Sequence, residues 1–159
     1  MTMGFLFTGC PYESDVPLET TPSVKINEAL LGTWKEPSYP RDSTYITFKK
    51  KSNYEYSVEA FVKGGVKSYS MNRFTCFFTN IANKKVLNAR TEEGKYNFVV
   101  IELSEKNVLN IKPLNDEITK DKFKTSGEAY QFFSKYLSKD DEYIEYDSDN
   151  EIMGLIKNK

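Results

Sequence analysis

The chain has 159 residues and nearly balanced charge, with 22 basic and 23 acidic side chains. A chain of this length buries roughly 70% of its unfolded surface, so it needs neither a metal nor a disulfide to hold a core. Histidine is absent, which excludes His-based catalytic triads and every zinc site that needs imidazole. The only cysteines are Cys10 and Cys76, and this excludes a four-cysteine metal site.

The first element is an apolar run that ends in LFTGC, residues 6–10. It resembles the lipobox of bacterial lipoproteins, in which a signal peptidase cuts before a cysteine that then carries acyl chains. Thr8 and Gly9 match the small positions of that motif, whereas Phe7 stands where an aliphatic residue is usual. The resemblance implies that residues 1–9 are a remnant of a signal peptide and that Cys10 is the lipidation site, fastening the protein to the membrane through its acyl chains.

The segment after Cys10 is polar, contains three prolines and has no helical or strand periodicity. This composition predicts a lipid-anchored, extended tether over residues 10–25. At about 3.1 Å per residue such a tether reaches roughly 45 Å and would hold a folded domain away from the lipid. With Cys10 acylated, Cys76 has no disulfide partner and is expected to be a small buried residue in a strand.

Alternating apolar and polar residues then predict strands joined by short turns. In the longest strand, Phe74, Cys76 and Phe78 share one face. One or two short strands are also expected near the C-terminus, around 143–146 and 152–156. The earlier strands are predicted at 31–35, 43–50, 54–61, 67–81, 86–90, 95–104 and 108–114.

One amphipathic helix is predicted over residues 125–139. Its apolar positions recur at i, i+3, i+4, i+7 and i+8, which forms a single stripe. Thr125 and Glu128 have the spacing of a capping box at its start. The stripe consists of Ala129, Phe132, Phe133, Tyr136 and Leu137.

Such a meander leaves two sheet edges, and pairing them with each other removes both. We therefore expect residues 26–159 to form a single mainly β domain: an antiparallel up-and-down meander that closes into a lipocalin-like barrel of about eight strands. The C-terminal amphipathic helix would pack on this barrel. Gly32-Thr33-Trp34 resembles the GxW signature of calycin barrels, in which the tryptophan plugs the closed end.

The wider pattern resembles the small lipocalin-like lipoproteins of Bacteroidota, most of them uncharacterised. This resemblance runs from Cys10 over nearly the whole chain, through LLGTW, NKKVLNAR, YNFVVIEL and LNIKPL. It implies a lipid-anchored protein of the outer membrane, on its periplasmic or cell-surface face. Lipocalins usually carry an arginine on the last strand over the tryptophan, but no arginine follows Arg90 here.

Two side chains are candidates for ligand contact, Trp34 and Arg73. Arg73 would be a buried charge if its strand face lined the barrel, but it would be exposed if Phe74 and Phe78 pointed inward, which we favour. A second cluster combines oxygen donors suited to a cation, although its spacing falls short of a calcium loop and a solvated loop is expected. That cluster comprises Asp147, Asp149, Asn150 and Glu151.

The function expected from these features is that of a binding module for a small apolar or glycan-like ligand. The alternative is a solid barrel that serves as an accessory protein and docks to another envelope component. We expect a monomer with no cofactor, no bound metal and no enzymatic activity. A near-zero net charge gives no reason to expect nucleic acid as a partner.

Overall fold

The computed structural model describes residues 11–37, 44–64, 68–148 and 151–158. Short 3₁₀ helices lie at Glu28–Leu30, Asp116–Ile118 and Asp141–Tyr143. One α-helix, α1, spans Ser126–Tyr136. The strands of the described residues are β1 Glu13–Ser14, β2 Gly32–Lys35, β3 Tyr45–Lys50, β4 Tyr56–Gly64, β5 Ser68–Ile81, β6 Lys84–Arg90, β7 Tyr96–Leu103, β8 Val108–Pro113 and β9 Ile152–Lys157.

The strands β2 to β9 form a closed antiparallel barrel. Each strand pairs with the next along the chain, and β9 pairs with β2 to close the ring. Strand β1 is additional and pairs with the beginning of β7. The predicted eight-strand up-and-down barrel with one helix is therefore confirmed. We call the end that holds the β3–β4, β5–β6 and β7–β8 connections the base, and the opposite end the mouth.

Side-chain alternation divides the apolar residues into two cores. The first lies inside the barrel and includes Phe74, Cys76 and Phe78, as their shared face predicts. The second lies between the outer wall and α1, where Phe98 and Val100 of β7 meet the helix. Because β7 is covered on both faces, its central residues 98–101 are all buried and its sequence is continuously apolar.

The base of the barrel is closed around Trp34. This side chain is fully buried, and its indole nitrogen donates to the Leu30 carbonyl at 2.9 Å. Lys157 on β9 places its ammonium 5.3 Å from the ring centroid and donates to the Ala29 carbonyl. No arginine follows Arg90 in the sequence, and Lys157 supplies the cation over the tryptophan ring instead. Gly32 leads into β2 at a φ of +119°, which favours glycine, and a Cβ there would lie 3.2 Å from the Lys157 side chain.

The helix α1 packs on the outer wall of the barrel through the predicted stripe. Ala129, Phe133, Tyr136 and Leu137 are buried there, and Phe132 is partly buried. The capping box is present, since Thr125 accepts from the Glu128 amide while the Glu128 carboxylate accepts from the Thr125 amide. None of the described helices has the length and apolar character needed to cross a bilayer.

Residues 11–25 do not form the free tether that their composition predicts; they lie against the barrel. Tyr12 and Leu18 are 5% and 2% exposed, and the Leu18 amide donates to Asn88 Oδ1 at 2.8 Å. The expectation failed because these apolar side chains enter separate sites made by distant parts of the chain. Such anchoring needs no local periodicity, and the sequence pattern therefore gives no sign of it.

The predicted strand at 143–146 is also wrong. A 3₁₀ helix covers Asp141–Tyr143, and Tyr146 makes only an isolated bridge to Leu114. Ile144 is buried in the outer core, and the Glu145 amide donates to the Tyr136 hydroxyl. These contacts with α1 replace strand pairing. The last strand, predicted at 152–156, is confirmed as β9.

Candidate ligand-binding cavity

The barrel interior contains a cavity of about 330 Å³ that lies toward the mouth. Aliphatic and aromatic side chains from seven of the eight barrel strands, β3 to β9, form most of its wall. The lining residues are Pro11, Ile46, Phe48, Val58, Ala60, Asn72, Phe74, Cys76, Leu87, Ala89, Thr91, Asn97, Val99, Ile101, Ile111, Pro113 and Ile152.

The polar side chains of the described lining are confined to the mouth. Asn72 lies in the first half of β5, Thr91 directly follows β6 and Asn97 is the second residue of β7, all on the side of the barrel that holds the mouth. Asn97 also donates to the Tyr12 carbonyl at 3.0 Å, and Thr91 Oγ1 accepts from the Lys95 amide. The cavity therefore offers an apolar interior below a polar rim, a pattern that suits a ligand with an apolar body and one polar end.

Large rings separate the cavity from the base. Tyr56 stands edge-to-face against Phe48 and Phe78, with ring centroids 5.9 and 5.7 Å apart. The Tyr56 hydroxyl accepts from the Asn27 amide, which belongs to the segment that crosses the base. Burial raises the pKa of Tyr56, and this hydrogen bond opposes part of that rise. The hydroxyl is thus held in a structural contact, directed away from the cavity.

Cys76 is part of the cavity wall. Its side chain is fully buried, which confirms the prediction of a small buried residue in a strand. Burial strongly raises the pKa of the thiol because the apolar surroundings disfavour the thiolate. A thiol in this state is a poor nucleophile, so the group contributes apolar surface and no reactivity.

The two candidate contact residues occupy different places. Trp34 lies in the barrel interior next to the cavity, directly across from Ile46, but it does not line it. Arg73 lies on the outer surface, as favoured, with 66% of its side chain exposed and its Nε 3.8 Å from a Glu59 carboxylate oxygen. The geometry therefore joins neither of them to the cavity wall. Cys10 lies outside the described residues.

The acidic cluster near the C-terminus is only partly described, because Asp149 and Asn150 lie outside the described residues. Asp147 is 1% exposed, and its amide donates to the Pro113 carbonyl at 2.7 Å. A solvated loop is therefore wrong for Asp147, which is held against the end of β8. Within the described ranges, no three carboxylate or thiol side chains are arranged to hold a metal ion.

A second cleft, of about 650 Å³, lies at the base and has a different chemistry. Lysine, asparagine and carboxylate side chains form much of its wall, and Lys84 pairs with Asp141 across 3.3 Å. Lys84 and Asp141 in this wall are therefore already paired with each other. The apolar cavity is the better candidate for a ligand site because side chains from seven barrel strands form its wall and most of them are apolar.

Several residues that shape the cavity carry no recognisable sequence signal. Pro11, Asn97 and Ala60 lie in segments predicted only as tether or strand, and their positions at the mouth depend on barrel closure. No protein-family model matches the chain, and no curated protein or solved structure shows significant similarity to it. The cavity itself therefore carries the functional argument.

Proposed function

We propose that this chain is a lipid-anchored protein of the bacterial outer membrane, on its periplasmic or cell-surface face, whose barrel binds a small apolar ligand. One observation carries the ligand-binding part: the apolar cavity of about 330 Å³ beneath a polar mouth. Small-molecule sites span about 300–1,000 Å³, so the volume suits a slender ligand. Each 100 Å² of apolar ligand surface buried there contributes about 2.5 kcal/mol before the costs of association.

The lining favours an apolar ligand over a glycan-like one. A sugar presents hydroxyl groups on most of its edges, and each needs a partner when it leaves water. The described lining offers three polar side chains, all at the mouth: Asn72, Thr91 and Asn97. A hydrocarbon chain that ends in a carboxylate or ester matches this distribution better.

The alternative, a solid barrel acting as an accessory protein, has less support. It requires an interior filled by side chains, whereas Tyr56 and Phe78 fill only the region near the base. Exposed large apolar residues also lie on separate elements, such as Tyr143 in a 3₁₀ helix and Met153 on β9. Scattered exposure of this kind is ordinary for a protein surface.

The anchor at Cys10 is supported by the lipobox-like sequence and by elimination. The chain has two cysteines, and Cys76 is buried in the barrel. An acyltransferase could therefore not reach Cys76 without unfolding the domain. Two or more acyl chains on one cysteine hold a protein stably on a bilayer, whereas one chain does so only marginally.

Ligand binding is tested by titrating the protein with the fluorescent fatty acid cis-parinaric acid and following energy transfer from Trp34, the sole tryptophan. Ala60→Phe places a ring in the cavity and is expected to weaken binding strongly. Ser57→Phe adds the same ring to the outer face of the same strand and serves as the matched control. Equal binding by the two variants would refute a barrel site.

The anchor is tested by native mass spectrometry of full-length protein extracted from its own membrane. The expected spectrum shows an acyl adduct on the wild type and on Cys76→Ser, and none on Cys10→Ser. The same spectrum reports any retained ligand. An adduct that persists in Cys10→Ser, or a wild type without one, would contradict the anchor.

A further inference from the structure

The first described residue lies at the mouth of the barrel. Pro11 lines the cavity and forms a bridge with Asn115, just beyond the end of β8. The Tyr12 amide donates to the Leu114 carbonyl at 2.7 Å. The Tyr12 ring is buried between Phe98 and the helix, 5.8 Å from the Phe98 ring centroid. The start of this segment is therefore fixed to the barrel rim.

The rest of the N-terminal segment runs along the wall from the mouth to the base. Asp15 forms an ion pair with Lys95 of the β6–β7 turn at the mouth. Leu18 is tied to Asn88 on β6, and the Ile26 amide donates to the Asn53 carbonyl in the β3–β4 turn at the base. The residues that could have acted as a spacer are thus bound to the barrel.

This arrangement fixes where an anchor begins. One peptide bond joins Cys10 to Pro11, and consecutive Cα atoms are about 3.8 Å apart. Acyl chains on Cys10 would therefore start at the rim of the cavity, with no spacer between the lipid and the domain. A protein held in this way turns the mouth of its barrel toward the bilayer.

The outer rim across the barrel from Pro11 has a matching character. Tyr45, Phe61 and Met71 are neighbours in register on β3, β4 and β5, at the ends of these strands nearest the mouth. The rings of Tyr45 and Phe61 stack with centroids 5.1 Å apart, and Met71 is 45% exposed. Tyrosine is enriched at membrane–water interfaces, and Phe61 and Met71 add apolar surface beside Tyr45.

We infer that the mouth of the barrel opens onto the membrane surface and that the cavity takes an acyl chain from the bilayer side. This inference rests on the proposed function, because it needs the anchor at Cys10. The polar rim at Asn72, Thr91 and Asn97 then lies at headgroup depth, where the polar end of a lipid also lies. The acyl chain then passes from the bilayer into the cavity without exposing its apolar surface to water, which would be unfavourable.

The orientation is tested on acylated protein in phosphatidylcholine vesicles that contain a nitroxide-labelled lipid. Zwitterionic lipid is chosen because Glu92 and Glu93 lie in the turn at the mouth. A fluorophore is attached to Glu92→Cys at the mouth or to Lys106→Cys at the base, both in a Cys76→Ala background. Quenching at position 92 and none at position 106 is expected. Equal or greater quenching at position 106 would overturn the inference.

Loading is tested through Trp34, which faces the cavity-lining Ile46. Nitroxide on the lipid acyl chain is expected to quench Trp34 in acylated wild type and in Ser57→Phe, but not in Ala60→Phe. If the acyl chain on Cys10 itself occupies the cavity, labelled lipid does not quench Trp34 in the acylated protein, whereas a nitroxide-labelled fatty acid quenches Trp34 in soluble Cys10→Ser. If Trp34 is quenched neither by labelled lipid in the acylated protein nor by labelled fatty acid in Cys10→Ser, acyl-chain binding is overturned.

The outcomes distinguish a failure of this inference from a failure of the proposed function on which it rests. A mass spectrum without an acyl adduct on Cys10 removes the anchor, and the proposed function fails in that part. An adduct together with lipid contact at position 106 leaves the anchor intact and removes only the orientation. Quenching of Trp34 in Cys10→Ser by the nitroxide-labelled fatty acid shows whether the cavity binds an acyl chain, whatever the outcome for the anchor and the orientation.

Discussion

Asn88 is the polar residue on which the attachment of the N-terminal segment depends. It lies on β6, is fully buried between the wall and the segment, and makes three hydrogen bonds. Its Oδ1 accepts from the Leu18 amide at 2.8 Å, and its Nδ2 donates to the Phe77 carbonyl at 3.2 Å and to Thr79 Oγ1 at 3.0 Å. Asn88→Ala removes all three without disturbing the alternation of the strand.

The expected cost follows from these contacts. Each buried hydrogen bond contributes about 1 kcal/mol net, so three contribute about 3 kcal/mol. In Asn88→Ala the Leu18 amide stays buried but loses this acceptor. Because an unpaired buried amide is unfavourable, we do not expect the loss of stability to be smaller than this value. Since a domain is stabilised by about 5–15 kcal/mol in total, Asn88→Ala is expected to fold but with a markedly lower urea midpoint.

Urea unfolding and amide hydrogen exchange measure this effect together. The free energy of unfolding is expected to fall by about 3 kcal/mol, with protection of the Leu18 amide lost ahead of the barrel amides. Asn80→Ala, an exposed asparagine on the neighbouring β5, is the control and is expected to change stability by less than about 0.5 kcal/mol. A loss below about 1 kcal/mol for Asn88→Ala would refute the hydrogen-bond argument.

Three further predictions concern the helix, the base and the cavity wall. Thr125→Ala removes the capping box with Glu128 and is expected to cost about 1 kcal/mol in urea unfolding, whereas an unchanged midpoint would mean that the cap is redundant. Lys157→Ala is expected to cost about 0.5–1 kcal/mol through the lost contact with the Trp34 ring, and Lys157→Arg is expected to retain stability; equal loss in both would exclude a cation–π origin. Cys76 keeps its proton in the folded protein because burial raises its pKa from 9.0, while the unfolded thiol ionises above that value. Its contribution is therefore complete below pH 9 and falls as pH rises, so between pH 7 and pH 10 wild type should lose about 1.4 kcal/mol more than Cys76→Ala; parallel pH profiles would contradict this.

The barrel could be predicted from the sequence because alternation is a local property. Phe74, Cys76 and Phe78 point inward as their spacing requires, and Thr125 starts the helix at the expected residue. Antiparallel strands joined by short turns pair with their neighbours, so the order of strands follows from the order of the chain. Closure then follows from the need to pair the two edges.

The attachment of residues 11–25 could not be predicted, because it is made entirely by contacts between distant residues. Leu18 and Asn88 are 70 positions apart, and Tyr12 reaches a helix more than a hundred residues later. The only local hint was the asparagine at position 88 within an apolar strand, since a buried polar side chain requires partners. The contact between Lys157 and the Trp34 ring could not be predicted for a different reason. The expected cation was an arginine, whereas a lysine at this position also forms a cation–π interaction with the ring.

The cavity arises from a gradient in side-chain size along the barrel axis. Near the base, the interior positions are taken by Trp34, Tyr56 and Phe78, whose rings fill the cross-section. Toward the mouth, the corresponding positions include Ala60 and Ala89, which leave the cross-section open. The volume of the cavity therefore depends on small residues at two inward positions, and no polar motif in the sequence indicates it. For the same reason, charge patterns and catalytic motifs in the sequence do not reveal the cavity, whereas a substitution that enlarges the side chain at position 60 tests its role directly.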